Sequence, residues 1–398
     1  QELTLTQHKL TNEEGGGMSV SIWQGDDTQP VYAVDVLVVG AGLAGSAAAY
    51  FAKQAGRDGV VTDMRTPGSG ASGRNAGFMI TGLDTYYHEA IAEHGHDAVR
   101  EIWSLSERTH QHWRRFADAA DVPLDQCGSM LLAESEGEAA DLEKAAQAMH
   151  ADGIEVIFHA SDPLNRGYYA AIEQPWDAAV QPFKLTQAVL QQSGADFVPN
   201  NELYAIEQVK PGLVRVYTQQ YIFEARKVLL CTNAYSTRID PYFVGKVVPT
   251  RAQCLVTDPL PEALLHTCGY SDYGYMYYRM TFDNRLLIGG GRKQHKALEN
   301  NTTDDHITGP VQETLENYLK YHFPELENVP VSRRWSGIMG FTADHWPLVG
   351  TLPDKPDVGF AVGFTGHGLA LAAGTAEIAV NHLLNDAPIG VLDAARVH

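Results

Sequence analysis

The residues with the clearest chemical purpose are Gly40-Ala41-Gly42-Leu43-Ala44-Gly45, followed further along by Asp63. Gly40 and Gly42 allow the backbone to turn tightly beside a pyrophosphate, and Gly45 allows a helix to approach a strand closely. A helix starting at Leu43 and Ala44 offers free N–H groups and a positive dipole end to phosphate oxygens. Asp63 stands where a carboxylate can accept hydrogen bonds from ribose hydroxyls. A second stretch, Gly363-Phe364-Thr365-Gly366-His367-Gly368, repeats the logic of a glycine turn before a helix start. Such a terminus can stabilise negative charge on a ring.

Elements of the right kind flank both stretches. The apolar run Val36–Val39 precedes the first glycines, a small-residue helix runs from Leu43 to about Ala55, and a second short apolar run ends at Asp63. This is a strand–turn–helix–strand unit with an acid at its end. A strand over Val358–Gly363 and a helix from about Leu369 to Leu384 flank the second turn. Between them, the spacing predicts one helical region over 84–119, with Trp103 and Trp113 as core residues, and a helix over Glu136–His150. A hairpin is expected over 213–218 and 222–230, strands over 247–257 and 285–290, and a helix over 311–322. Residues 68–77 are too glycine-rich for a regular element.

Composition narrows the possible functions. The chain has 398 residues, enough for two or three folding units, and a net charge of −20. That charge argues against a nucleic-acid groove or an anionic membrane surface. Cys127, Cys231, Cys254 and Cys268 form no CxxC pair and read as reduced residues of a cytoplasmic protein. No apolar run reaches the ~20 residues of a membrane-spanning helix. His88, His94 and His96 do not share one helix face and read as solvated, so no metal site is expected. Residues 1–17 read either as a flexible arm or as a non-native leader.

The ordered set VVGAGLAG (Val38–Gly45), GSGASGRNAG (Gly68–Gly77), CTNAYS (Cys231–Ser236), DNRLLIGGG (Asp283–Gly291), WSGIMGFTADHWPLVG (Trp335–Gly350) and GFTGHGLALA (Gly363–Ala370) resembles the D-amino-acid oxidase/glycine oxidase/sarcosine oxidase superfamily of FAD enzymes. Within it the chain is most similar to the γ-glutamylputrescine oxidase branch, which shares a segment like Ser21–Trp23. The resemblance implies an α/β fold: a Rossmann-like FAD-binding domain interleaved with an α+β substrate domain on a mainly antiparallel sheet. The implied FAD segments are 31–85, 171–245 and 335–398, the substrate segments 86–170 and 246–334, with an arm over 1–30. FAD contacts are then implied for Gly40, Gly42, Leu43, Ala44, Gly45, Asp63, Met64, Ser72, Gly73, Arg74, Asn75, Ala76, Leu203, Thr232, Asn233, Gly366, His367, Gly368 and Leu369. Departures from the family pattern also matter. There is no cysteine in Arg334–Thr342 to bond the flavin, so the FAD is expected to be noncovalent. Ala370 replaces a carboxylate-pairing lysine, no arginine lies in Ser336–Ala343, and an oxygen-assisting lysine is missing near Leu286–Ile288.

The implied reaction is oxidation of a primary or secondary amine, γ-glutamylputrescine-like, by hydride transfer to flavin, with hydrolysis of the imine. An aromatic pocket is expected around His367, Tyr277, Phe341, Trp335 and Tyr275, with Asp344 and His345 either a polar wall or a loop pair. Arg279 is the arginine left to hold a carboxylate, which keeps open an amino-acid oxidase or dehydrogenase. The partners are then a small amine or amino acid and oxygen or another electron acceptor. A flavin-binding subunit without catalysis, and a nicotinamide dehydrogenase, are the alternatives from other classes.

Overall fold

The computed structural model describes residues 29–397. The arm expected over 1–30 and the Ser21–Trp23 segment fall outside them, residues 29 and 30 excepted. The first glycine turn sits where three parallel strands end together. Val31–Val39 pairs in parallel with Gly59–Thr62 on one side and Ile222–Leu230 on the other, with Val39 opposite both Thr62 and Leu230. Leu230 in turn faces Phe360 of the parallel strand Lys355–Val362. This register brings Gly40, Asp63, Cys231 and the Gly363 turn to one sheet edge, the carboxyl edge where open α/β sheets bind ligands. Four further strands complete this sheet of eight; one of them, Leu213–Thr218, forms the expected hairpin with Ile222–Leu230.

The edge is sharpened by close packing. Gly40 has φ +107, and a Cβ there would meet the Cys231 carbonyl oxygen at 2.5 Å. A Cβ on Gly45 would lie 1.7 Å from the Gly40 carbonyl oxygen, so the helix Leu43–Gln54 can descend onto its strand only with glycine there. That helix packs against the last helix, Gly368–Asn385, through faces rich in alanine.

A second eight-stranded sheet roofs the site. Its order runs from Val331–Phe341 through Val248–Thr257, Leu286–Gly290, Met276–Met280 and Cys268–Ser271 to Ser129–Leu132, Ala171–Gln174 and Ile157–His159. All pairs are antiparallel except Cys268–Ser271 with Ser129–Leu132. Several expectations shift here. Strands Ala171–Gln174 and Val331–Phe341 belong to this sheet, so the boundaries expected at 171 and 335 fall inside it. The long strand stays because its register with Val248–Thr257 runs from Val248–Phe341 to Thr257–Val331. The tyrosines at 270–278 form part of a hairpin rather than a connection. The region 84–119 splits at Gly95 into helices Tyr87–His94 and His96–Ala119, and Ala71–Arg74 makes one helical turn inside the glycine-rich loop. Trp113 is fully buried and donates to the Leu369 carbonyl (2.7 Å), fixing the last helix. Among the described residues, no helix is long and apolar enough to cross a membrane.

Overpacking at the Gly40–Gly45 contact sets a first test. Gly45→Val should reduce the unfolding free energy by about 1–3 kcal/mol or more, read from urea denaturation. An unchanged midpoint would mean that the helix is not seated this closely.

Candidate functional site

Two cavities open from the shared sheet edge and join. The first, about 1400 Å³, is lined by Gly40, Gly42, Asp63, Met64, Leu203 and Thr232 among others. The second, about 1420 Å³, lies under the antiparallel sheet. Gly42, Ala71, Ser72, Cys231 and Asn233 line both, so the cleft is continuous.

The donor set of the first cavity suits a dinucleotide. The helix Leu43–Gln54 points its N-terminus at the junction, and Ser72 Oγ accepts from the Leu43 N–H at 2.9 Å. Asp63 accepts from the Ala41 and Arg65 N–H groups (2.7 and 2.8 Å), which pins the carboxylate at the rim. Arg65 and Arg238 supply positive charge there, and the buried Arg65 Nε has no hydrogen-bond partner among the described residues. A buried guanidinium nitrogen left unpaired beside a cleft is a donor waiting for a ligand acceptor.

The second cavity is lined by Leu43, Ala44, Ser72, Arg74, Asn75, Ala76, Tyr275, Tyr277, Phe341 and the turn Gly366-His367-Gly368-Leu369. The last helix begins there with its positive dipole end facing the space. Asn233 is the fastener: its Oδ1 accepts from the Gly363 and Phe364 N–H groups at 2.9 and 3.3 Å. A Cβ on Gly340 would stand 2.6 Å from that oxygen, so glycine leaves room for the amide. Cys231 and Cys254 line the wall, and burial pushes both thiols up to about 12, which makes them poor nucleophiles.

Four expected contacts sit elsewhere. Gly45 and Gly73 do not face either cavity; a Cβ on Gly73 would strike the Gly68 carbonyl oxygen at 2.2 Å, so it is a packing glycine. Trp335 does not line the pocket but donates through Nε1 to the Arg74 carbonyl (2.8 Å), holding the loop from behind. Arg279 is also behind the wall. It is only 4% exposed and donates to the carbonyls of Ala76, Val180 and Met280 at 3.1, 3.0 and 2.9 Å. Arg279 therefore has no free face for a substrate. Arg74, which lines the cavity, donates to the Ser69 and Ser336 carbonyls and lies 3.2 Å from Asp305. Asn75 bonds to the Ala71 and Ser72 carbonyls and so braces the same loop.

Two cavity-lining side chains escaped the motif reading. Arg292 lines the cavity with its guanidinium stacked between Tyr275 and Phe341, 4.7 and 4.5 Å from the ring centroids. Among the described residues, no carboxylate lies within ion-pair distance of it. Its only signal was an arginine directly after Gly289-Gly290-Gly291 at a strand end. Asp84 lines the same cavity and joins two histidines: Oδ2 is 2.5 Å from His345 Nδ1, and Oδ1 is 3.4 Å from His367 Nδ1. Asp344 instead pairs with Arg396 (2.6 Å). Burial opposes ionisation of Asp84, but the His345 hydrogen bond and the His367 charge outweigh it and hold its carboxyl below the usual range. The Asp84 hydrogen bond raises the His345 imidazole above its ordinary value against the cost of burial, with Glu93 and Asp344 adding to it.

The pH dependence follows from those directions. Stability drawn from raised His345 is fully present below about pH 6.5 and fades as pH rises through its folded value. On the acid side it is lost as pH falls through the depressed value of Asp84. Asp84→Asn should lower the melting temperature more at pH 6 than at pH 9. A deficit that grows toward pH 9 would contradict the pairing.

A model of the family DAO, described as FAD dependent oxidoreductase, matches residues 35–382. The chain is 26% identical over 383 residues to the probable oxidoreductase OrdL of Haemophilus influenzae, covering 88% of this chain and 83% of the relative. It is 26% identical over 357 residues to gamma-glutamylputrescine oxidoreductase of Escherichia coli K12, covering 84% and 80%. The crystal structure of glycine oxidase from Geobacillus kaustophilus superposes with a TM-score of 0.77 at 22% identity, over 93% of this chain and 98% of that one.

Proposed function

The chain belongs to the DAO family of FAD-dependent oxidoreductases, and from that premise we propose that it oxidises the C–N bond of an amine that also carries a carboxylate. Arg292 supports this reading. Its guanidinium lies over two rings and lines the cavity with its N–H groups free of hydrogen bonds among the described residues, and so fits bidentate carboxylate recognition. Arg292 thus takes the role first expected of Arg279. γ-Glutamylputrescine belongs to this class, because it joins a carboxylate to a distant primary amine, and a 26%-identical relative bears its name.

FAD, when bound, supplies the hydride acceptor. Gly40, Gly42, Asp63, Ser72 and Thr232 would hold its nucleotide side, and Ala44, Arg74, Ala76 and Gly366–Leu369 its ring side, without a covalent link. The chain's own residues do the positioning. Arg292 anchors the carboxylate, while Tyr275, Tyr277 and Phe341 wall the reacting carbon from water. The first turn of the last helix presents N–H dipoles toward the space where negative charge develops. His367, held by Asp84 at that turn, lines the space where the amine would sit. Water then hydrolyses the product imine. The four unlinked cysteines suit a cytoplasmic location.

The test is anaerobic mixing of the yellow holoenzyme with amines, with and without a carboxylate, before air is admitted. Carboxylate-bearing amines should bleach the flavin, and air should report whether oxygen is the acceptor. Arg292→Met should raise KM for carboxylate substrates roughly 10- to 100-fold with little change for simple amines. Arg279→Met should instead lower thermal stability without that selectivity. Equal KM changes for both classes in Arg292→Met would remove the assignment.

A further inference from the structure

We propose that an aromatic annex opening off the substrate cavity is a subsite for an apolar alkyl or aryl chain of the substrate. This rests on the reading of the cavity as a substrate pocket, and it adds the chemistry of the part not oxidised. The annex encloses about 640 Å³ with the open solvent at its mouth included, and it joins the cavity at Ile80, Asp84, Tyr270, Gly274 and His367, which line both. Gly274 precedes Tyr275, on whose ring Arg292 stacks, so a ligand anchored at Arg292 lies beside the mouth.

Four of the ring walls have their polar tips engaged on the far side. Tyr86 donates to Glu138 (2.7 Å), Tyr87 to Asp152 (2.6 Å), Tyr273 to Asp141 (3.1 Å), and the Trp103 Nε1 to Glu107 (3.1 Å). None of these four carboxylates faces the annex. The ring faces remain as lining, with Leu131, Ala145 and Met149.

The polar groups at the deep end are likewise occupied. Asp177 takes the Thr81 N–H (2.9 Å) and Gln174 Nε2 (2.7 Å), and Thr81 Oγ1 meets His110 Nδ1 at 3.1 Å. Asp84, at the mouth, is committed to His345 and His367. The hydroxyls of Tyr270 and Thr85 are the lining hydroxyls left without a hydrogen bond among the described residues, so a polar tail finds few partners. A charged tail finds none of opposite sign that is free, and that desolvation is costly. Burial of methylene groups is favourable instead, at about fourfold in affinity for each one.

Binding of redox-inert n-alkyl carboxylates, from acetate to octanoate, to the FAD-loaded protein tests this through the shift in flavin absorbance. Affinity should rise about fourfold per methylene and then level off when the annex is full. Leu131→Phe, which fills the annex from the strand Ser129–Leu132, should bring the plateau to shorter chains while leaving acetate unchanged. Thr85→Phe, at a half-buried loop position outside the sheet, serves the same end should the first variant fold poorly. Affinity independent of chain length, no binding at all, or a slope untouched by the filling variants would overturn the subsite. Amine oxidation by the same holoenzyme is read separately: a chain-length series without oxidation keeps the annex and removes the proposed function, and oxidation with a flat series does the reverse.

Discussion

The site depends on one side-chain amide. Asn233 closes the strand Ile222–Leu230, and its oxygen takes two N–H groups from the turn that starts the last helix. That turn belongs to a strand bonded to the same sheet at Phe360. The long roof strand Val331–Phe341 reaches the same point through Gly340, whose missing Cβ admits the amide. Two sheets and two helix N-termini are thereby locked to one spot, and both cavities include Asn233 in their walls. Together with the Leu230–Phe360 pairing and the Trp113–Leu369 hydrogen bond, this fastening sets the distance between the two helix ends, which is what one ligand needs to use both dipole ends at once.

Charge placement then follows from what is already paired. Several ionic groups near the cleft are spent on structure: Arg279 on carbonyls, Asp344 on Arg396, and Asp84 on two histidines. The acidic chain thus presents few free charges to its own active cavity. The uncommitted guanidinium of Arg292 and the unpaired Arg65 nitrogen stand out for that reason. An arginine held by ring faces loses little freedom when it binds a planar anion, which favours orientation over mere attraction.

The ligand-binding edge was legible because it follows local rules. An apolar run, a glycine turn and a small-residue helix leave few alternatives, and the elements predicted from Val36 to Asp63 and from Val358 to Leu384 are the observed strands and helices, though the first strand begins earlier, at Val31, and the last at Lys355. The roof was harder to read. Tyr277 and Arg279 share a face of one strand by period two, so both should reach the cavity. Only the first does, because four carbonyl oxygens, those of Ala76, Gly77, Val180 and Met280, capture the guanidinium. Arg292 follows positive φ at Gly290 and Gly291, where strand parity no longer carries a direction. Asp84 acquires its role through His345 and His367, which are distant in sequence, and no local pattern announces such a link. Gly45 and Gly73 fit a glycine motif equally well as ligand contacts or as packing; only the Cβ clearances separate the two.

In the proposed holoenzyme one FAD spans both cavities, gripped at opposite ends by the two helix starts. A crystal structure of the FAD-loaded protein measures this directly. The expected result is a diphosphate within hydrogen-bond distance of the first-turn N–H groups after Gly42, and a ring whose pyrimidine edge lies at Gly366–Leu369. Density placing the ring away from the last helix, or the diphosphate outside the Gly40–Gly45 turn, would contradict it.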